Sequence, residues 1–361
     1  MAQPDDGRHK TSMNNPFTLN FGILPQKMIS RPLQRNSVIE TFTSVQPSYH
    51  VVMITGVRGS GKTVMMTEIA KTIAEIKDWI VIELNPEKNL LHSLAARLYN
   101  ISSLKPLFIN AKIEISVMGV GFSIDSTPVL DDEVLVDKML TVLKKHKKRL
   151  LVAVDEAVNN PYIREFSYSF QILLRHDYDL FLLMTGLYEN IYELQNEKTL
   201  TFLYRAPKME LESLDLNMIA DTYKGVFDLS EIEAAKMAKL TNGYPFAFQV
   251  LGYLRWERGA SSAEDLLPEY DHYLADYVYD KVWHEMTDRE KQITACMGNR
   301  DEFLKIKDVR ESAGLESNLF SVYREKLKRK GLIDVSRYGF IKLALPRFGV
   351  FAEKKMLYSN L

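Results

Sequence analysis

The stretch ITGVRGSGKT, residues 54–63, decides the fold. It matches the pattern Gly-x-x-x-x-Gly-Lys-Ser/Thr at Gly56, Gly61, Lys62 and Thr63. A compact apolar run, HVVMIT (50–55), precedes it, and helical apolar spacing follows from residue 64 to residue 77. Glycines let backbone N–H groups approach an anion closely, and a helix beginning after the loop turns its positive end toward the same anion. The pattern therefore predicts a phosphate-binding loop between a buried strand and a helix.

Each residue type in this loop has a chemical reason. Lys62 can reach the β- and γ-phosphates of a nucleotide, and the Thr63 hydroxyl can ligate Mg²⁺. The alternative is a glycine-rich turn that arose by chance, and the strand before it and the helix after it argue against that. We expect nine consecutive residues to bind nucleotide: Gly56, Val57, Arg58, Gly59, Ser60, Gly61, Lys62, Thr63 and Val64.

A second apolar run, LLVAVDEA (150–157), ends in two acids. A carboxylate at the carboxyl end of a parallel strand lies at the edge of the sheet where ligands bind. Asp155 is expected to hold Mg²⁺, directly or through water, and Glu156 to orient and deprotonate the attacking water. The alternative is that the pair caps the following helix. Together with the phosphate loop, the two acids favour ATP hydrolysis.

Strand and helix patterns alternate up to about residue 214, which predicts a parallel three-layer α/β sheet. Residues 107–127 alternate apolar and polar side chains around glycines 119 and 121, so we predict an inserted β-hairpin that contacts a partner or a second copy. The last part shows three helical patterns followed by two short strands. The predicted organisation is a disordered N-terminus (1–15), an α/β domain (16–214), a helical lid (215–286) and a winged helix-turn-helix (287–361).

Together, GVRGSGKT and LLVAVDEA resemble the Walker A and Walker B motifs of the additional-strand P-loop ATPases. The chain is similar to the STAND and AAA+ ATPases, notably archaeal-type and origin-recognition initiator-like ATPases, over roughly residues 16–350. The resemblance implies a P-loop ATPase core of the AAA+/STAND type with a helical lid and a winged helix. It also implies ATP or ADP and Mg²⁺ as cofactors.

The resemblance suggests two further catalytic residues. Thr185 falls where the family's sensor 1 lies, which implies that it senses the γ-phosphate or aligns water. The equally favoured alternative is that Thr185 is the N-cap of the next helix. Arg205 falls where the family carries an arginine before the fifth strand. Such a guanidinium neutralises charge in the transition state, often across a subunit interface. The alternative is a surface arginine paired with an acid.

NGYPFAFQVLG (242–252) resembles the Gly-x-Pro motif of STAND ATPases at Gly243 and Pro245, which places Pro245 near the adenine. Phe246 stands where AAA+ initiators usually carry a sensor 2 arginine, and this difference favours the STAND side. The same resemblance places residues 25–31 against the base and ribose.

Composition restricts the setting and the partners. The 361 residues carry a net charge of −1, and the single cysteine, Cys296, excludes an internal disulfide and a thiolate metal cluster. The sequence offers no apolar run near the ~18 residues that span a bilayer, so we expect a cytoplasmic protein without membrane contact. Residues 287–361 hold 16 Lys and Arg against 10 Asp and Glu, a net of +6. This excess of positive charge suggests an anionic partner. Six of the basic residues lie on or just after the predicted recognition helix or at the predicted wing tip: Arg324, Lys326, Lys328, Arg329, Lys330 and Arg337.

Three functional hypotheses follow. The first is a Mg²⁺-dependent ATPase whose nucleotide state controls the arrangement of the helical and winged-helix domains. The second is an ATP-regulated initiator or regulator that binds double-stranded DNA through the winged helix. The alternative is that these basic residues interact favourably with the dipole of their own helix, because they lie in its last turn. A winged helix can also dock on the ATPase core instead of binding DNA. The third is a STAND-type signalling or defence switch that forms a homo-oligomer with ATP.

Overall fold

The computed structural model describes residues 14–20, 24–113, 131–198, 200–259, 262–298 and 302–359. The chain divides into two compact units. The first unit contains Ser30–Glu212 and Glu325–Leu332. The second contains the described residues up to Ile29, together with Ser213–Arg324 and the described residues from Ile333 onward.

The centre of the first unit is a parallel sheet in the order β2-β3-β4-β1-β5. β4 lies between β1 and β3. This topology confirms the predicted parallel α/β core. The strands are β1 (Val51–Thr55), β2 (Trp79–Leu84), β3 (Arg149–Val154), β4 (Leu180–Gly186) and β5 (Lys208–Glu210).

Helices cover both faces of this sheet, because successive side chains of a strand point to opposite faces. Val152 of β3 belongs to a core cluster with residues of α3, α5 and α6, whereas Leu151 belongs to a second cluster with α1 and α2. The helices are α1 (Pro32–Thr43), α2 (Lys62–Ala74), α3 (Leu90–Asn100), α4 (Lys105–Asn110), α5 (Asp132–Lys145), α6 (Pro161–Leu174), α7 (Tyr188–Asn196) and α8 (Thr201–Tyr204).

The predicted hairpin at residues 107–127 is wrong where the structure describes that segment. Lys105–Asn110 forms α4, with proline in its first turn. Phe108 is fully buried in the core cluster and stacks near Tyr99 of α3. Burial of one aromatic ring thus outweighs the local alternation of polar and apolar residues. The remainder of the predicted hairpin, residues 114–130, lies outside the described residues.

The second unit contains helices and a small antiparallel sheet, β6-β8-β7. Its helical part contains α9 (Leu216–Phe227), α10 (Glu231–Thr241), α11 (Pro245–Arg258), α12 (Leu267–Leu274), one π-helical turn (Ala275–Tyr279) and α13 (Asp280–His284). There follow α14 (Asp288–Met297), β6 (Leu304–Lys305), α15 (Ile306–Ser312), α16 (Ser317–Arg329), β7 (Ile333–Asp334), β8 (Phe340–Leu343) and α17 (Phe348–Ser359). The division between the units falls within α16, whose residues from Glu325 onward belong to the first unit. From α14 to β8 this order fits a winged helix.

Polar contacts join the helical and C-terminal parts of this second unit. Arg347 pairs with Asp271 of α12 through two hydrogen bonds, and the Tyr279 hydroxyl donates to the carbonyl of Pro346 at 2.5 Å. The predicted boundary between residues 286 and 287 therefore falls inside one compact unit. Within the described ranges, every helix is too short or too polar to traverse a lipid bilayer.

Candidate functional site

The phosphate loop, residues 56–63, follows the carboxyl end of β1 and leads into α2. Gly59 and Gly61 have φ angles of 74° and 90°, which lie in the left-handed region that favours glycine. Gly61 is the N-cap of α2, where it supplies no capping side chain, and the first turn carries no acidic residue. The first backbone N–H groups of a helix lack partners within it. The loop thus presents N–H donors and the positive end of the helix dipole, and the first turn of the helix has no acidic side chain that would repel an anion.

Lys62 is buried and lies beneath the loop. Its Nζ donates to the carbonyls of Gly56 and Val57 at 3.1 and 2.8 Å. Burial lowers the pKa of Lys62 to about 8, and the nearby charge of Asp155 opposes this shift. The hydroxyl of Ser60 is also buried and has no hydrogen-bond partner among the described residues. A buried amine and an unpaired hydroxyl in one glycine turn fit the chemistry of a phosphate group.

Thr63 and Asp155 are joined across the top of the sheet. The Thr63 Oγ1 donates to Asp155 Oδ2 at 2.8 Å, although the two residues lie 92 positions apart. Asp155 comes directly after β3, and β4 separates that strand from β1. One hydroxyl and one carboxylate form the small oxygen set with which proteins hold Mg²⁺ alongside nucleotide phosphates. The structure therefore brings together the two residues that the sequence assigns to the metal.

The acidic turn, residues 155–157, follows β3 and contains both predicted acids. Glu156 has a φ of 52°, so a non-glycine residue occupies the left-handed region. Its N–H donates to Asp155 Oδ1 and to Thr185 Oγ1, both at 3.1 Å. The Glu156 side chain is exposed at the sheet edge that also carries the phosphate loop. A carboxylate in this position is available to a water molecule beside a bound phosphate.

Thr185 lies at the end of β4 and contacts the acidic turn. In the β3–β4 register Val154 pairs with Met184, so the next two residues, Asp155 and Thr185, are neighbours. The Thr185 hydroxyl donates to Asp155 Oδ1 in a short hydrogen bond. The helix after β4 begins at Tyr188, and its N-cap is Leu187. Thr185 therefore does not act as the N-cap that the sequence left open.

Arg205 is not assembled with the loop, and Pro245 belongs to the other compact unit. Arg205 is the exposed C-cap of α8, and it precedes β5. In the parallel pairing, Lys208 of β5 lies beside Met53, while the phosphate loop begins only after Thr55. Arg205 thus lies toward the amino end of β5, away from the edge that carries the loop of the same chain. Pro245 is the first residue of α11 in the second unit, and its contact with adenine stays a prediction.

Two neighbours of the loop carry no motif in the sequence. The Arg31 guanidinium donates to the carbonyl of Glu212 at 2.7 Å and to that of Ser60 at 3.4 Å, and burial lowers its pKa. Burial, with the negative charges of Glu210 and Glu212, raises the pKa of Tyr188 to about 12. The resemblance placed residues 25–31 against the base and ribose, but no local spacing pointed to the contact between Arg31 and the loop.

Comparison with known structures agrees with this architecture. The Walker-type ATPase PABY2304 of Pyrococcus abyssi is similar, with a TM-score of 0.61, 16% identity and coverage of 90% of this chain and 96% of that one. The ORC2 protein of Aeropyrum pernix, solved as ADPNP-ADP complexes, gives a TM-score of 0.60 and 12% identity, covering 94% and 97%. This chain therefore has the fold of P-loop ATPases of the ORC-like group.

Sequence comparisons add less. Residues 276–352 match a sequence family described as a domain of unknown function, DUF8462. A search among curated proteins finds no match to the chain. The matched residues lie in the C-terminal part of the chain and do not include the phosphate loop or the acidic turn.

Proposed function

We propose that this chain binds ATP with Mg²⁺ and hydrolyses it at the carboxyl edge of the parallel sheet. One observation carries the proposal: the hydrogen bond of 2.8 Å between Thr63 and Asp155, which joins the end of the phosphate loop to the acidic turn. The similarity of fold to a Walker-type ATPase supports the same class of reaction. That nucleotide state also controls the arrangement of the helical and winged-helix domains stays a prediction.

The residues of the site have three separate roles: binding the phosphates, holding the metal ion and activating water. Backbone N–H groups of the loop and the amine of Lys62 hold the phosphates, and the buried Ser60 hydroxyl offers one further polar group. Thr63 and Asp155 would hold Mg²⁺, which when bound neutralises phosphate charge. Glu156 accepts a proton from the attacking water and holds that water in line with the terminal phosphate.

Glu156→Gln tests the hydrolytic role. The amide keeps the size of the side chain but cannot accept the proton, so turnover should fall by about 10²- to 10⁴-fold. The dissociation constant for ATP should stay near the wild-type value, since the loop that holds the phosphates is unchanged. Isothermal titration and phosphate release measure the two quantities.

Glu165→Gln is the matched control, because Glu165 is an exposed acid of α6 just after the acidic turn. It should leave both quantities unchanged. Undiminished phosphate release by Glu156→Gln would contradict the assigned base. A wild-type chain that binds no ATP would overturn the proposal as a whole.

The wing favours DNA binding as a second candidate function. Tyr338 at the turn between β7 and β8 is 100% exposed, and the neighbouring Arg337 guanidinium stacks at 4.1 Å over the Phe340 ring. An exposed arginine and an exposed aromatic ring at a wing tip suit contact with a duplex. The net charge of +6 over residues 287–361 supports an anionic partner.

Arg337→Ala tests this second function by fluorescence anisotropy with a short duplex over a range of salt concentrations. Loss of one phosphate contact should weaken binding and reduce the slope of log K against log salt by about 0.9. Lys354→Ala, at an exposed position of α17, is the control. Equal salt slopes for wild type and Arg337→Ala would argue against the wing as the contact.

A further inference from the structure

The N-terminal segment is anchored in the second unit by an aromatic side chain. The described residues up to Ile29 belong to that unit. The Phe17 ring is 2% exposed, and its centroid lies 5.5 Å from that of Phe248 and 6.0 Å from that of Tyr223. A Cβ atom at Gly252 would lie 2.5 Å from the Phe17 ring, so the glycine leaves the room that the ring occupies. Phe17 thus fixes the segment to α9 and α11.

Gln249 of α11 holds the same segment at two points. Its Oε1 accepts from the N–H of Thr18 at 3.0 Å, and its Nε2 donates to the carbonyl of Lys27 at 2.7 Å. The N–H of Lys27 donates to the carbonyl of Pro16 at 3.1 Å, which closes the segment on itself. Both polar groups of one buried side chain are therefore used to hold the N-terminal segment on the helical part of the unit.

Arg31, four residues after Lys27, contacts the phosphate loop. The chain passes from the second unit to the first between residues 29 and 30, and it passes back after Glu212. The Arg31 guanidinium donates to the carbonyl of Glu212 at 2.7 Å, so it joins these two connections inside the first unit. It also donates to the carbonyl of Ser60 at 3.4 Å. One side chain thus links both connections to the loop.

The bond to Ser60 affects how the loop presents its donors. The carbonyl of Ser60 and the N–H of Gly61 belong to one trans peptide, in which the two groups point in opposite directions. A carbonyl held on Arg31 therefore turns the N–H of Gly61 away from the arginine. Successive N–H groups that point to one side of a loop form a concave site for an anion. Arg31 thus helps to fix one donor of the phosphate loop.

We propose that residues 15–20 and 24–31 act as a strap that couples the helical part of the second unit to the phosphate loop. Phe17 and Gln249 fix the strap at one end, and Arg31 is its contact with the loop. While the strap is held, the loop keeps the conformation that binds phosphates. Release of the strap lowers the affinity for ATP and leaves the chemical step unchanged. This inference rests on the proposed function, because ATP is the ligand whose affinity changes.

Gln249→Met tests the strap. The change removes both hydrogen bonds to the strap and keeps an unbranched side chain of similar length. The dissociation constant for ATP should rise by about three- to tenfold, because the free energy of a lost hydrogen bond corresponds to a factor of that size. The value of kcat at saturating ATP should stay within about twofold of wild type, since only binding is affected. Calorimetric titration and phosphate release measure the two quantities.

Gln292→Met is the matched control. Gln292 of α14 lies in the same unit, and its Nε2 donates to the carbonyl of Ala313 at 3.0 Å. The variant therefore loses the same kind of hydrogen bond, from a glutamine amide to a backbone carbonyl, at a place outside the strap. Its dissociation constant for ATP should equal that of wild type.

Hydrogen exchange without nucleotide separates coupling from a local effect on the helical part. Exchange of the peptide covering residues 54–66 should speed up in Gln249→Met and stay at the wild-type rate in Gln292→Met, since only the first change loosens the loop. A double-mutant cycle adds a second criterion. In an Arg31→Ala background, Gln249→Met should weaken ATP binding no further, because the contact through which the strap acts is already lost.

The outcomes distinguish this inference from the proposed function. An unchanged dissociation constant in Gln249→Met, an equal rise in Gln292→Met, unchanged exchange of the loop peptide, or a full effect in the Arg31→Ala background overturns the strap and leaves ATP binding by the loop in place. A wild type that binds no ATP overturns the proposed function and this inference with it. If Gln249→Met does not fold, Phe17→Leu, which weakens the aromatic anchor, replaces it in every comparison.

Discussion

The phosphate loop and the acidic turn lie at the same edge of one sheet, and both need a left-handed backbone, yet they obtain it differently. The loop places glycine at its left-handed positions, Gly59 and Gly61, with φ angles of 74° and 90°. The acidic turn places Glu156 there, with a φ of 52°. A side chain with a Cβ atom in this region costs about 1–2 kcal/mol, whereas glycine has no such penalty.

The difference teaches where each conformation is encoded. The glycines of the loop permit its geometry by themselves. The acidic turn needs both a carboxylate and a reversed backbone at one residue, so its support comes from Thr185, 29 positions further along the chain. Hydrogen bonds to Thr185, each contributing about 0.5–1.5 kcal/mol net, offset the strain at Glu156. Three predictions test this contrast, ordered from the largest expected effect on stability to the smallest.

Gly186→Ala should destabilise the chain most. The added methyl would lie 2.8 Å from Ile191 and 3.0 Å from the carbonyl of Ala157, and overpacking of this kind costs about 1–3 kcal/mol. We expect a loss of about 2 kcal/mol in urea unfolding. Gly225→Ala in α9, where a Cβ would meet nothing within 4 Å, is the control and should be neutral or stabilising. Equal effects of the two changes would show that β4 does not fit closely against the turn.

Gly61→Ala should destabilise by about 1 kcal/mol and weaken ATP binding by about tenfold or more. The methyl has space, since its nearest neighbour is the Arg31 guanidinium at 3.5 Å, so the cost comes from a φ of 90°. Gly339→Ala on the wing has a φ of 78° and open surroundings, so it should lose similar stability and keep its affinity for ATP. Calorimetric titration measures the affinity of both variants for ATP. Unchanged ATP affinity in Gly61→Ala would contradict the proposal that this loop binds the phosphates.

Much of the first unit could be predicted from local sequence. HVVMIT (50–55) is predicted as a buried strand and forms β1 over Val51–Thr55, since an apolar β-branched run specifies a buried strand by itself. The loop and the two acids were likewise located from their residue types. The inserted hairpin was wrong because Phe108 is buried by contacts with another helix, which no local alternation reveals.

The support of the acidic turn could not be predicted from spacing. It depends on the register of β3 with β4, in which Val154 meets Met184, and on the missing side chain at Gly186. The sequence indicates Thr185 only through resemblance, and its hydrogen bonds to Asp155 and Glu156 become visible only in the structure. The same reason applies to α17, which the sequence analysis does not predict: Phe348 and Phe351 pack against Tyr279 and Trp283, far away in the chain.

Glu156→Gly gives the smallest expected effect and the one that separates the two turns most directly. Glycine relieves about 1–2 kcal/mol of left-handed strain but adds about 0.5–1 kcal/mol of chain entropy to the unfolded state, so unfolding should become harder by about 0.5 kcal/mol. Glu156→Gln is the matched comparison, because it removes the same charge and keeps the Cβ atom. Both variants should lose turnover, and only the glycine variant should gain stability in urea unfolding. If the two variants are equally stable, the left-handed conformation of Glu156 carries no strain. The acidic turn would then need no support from Thr185, and the proposed difference between this turn and the phosphate loop would be wrong.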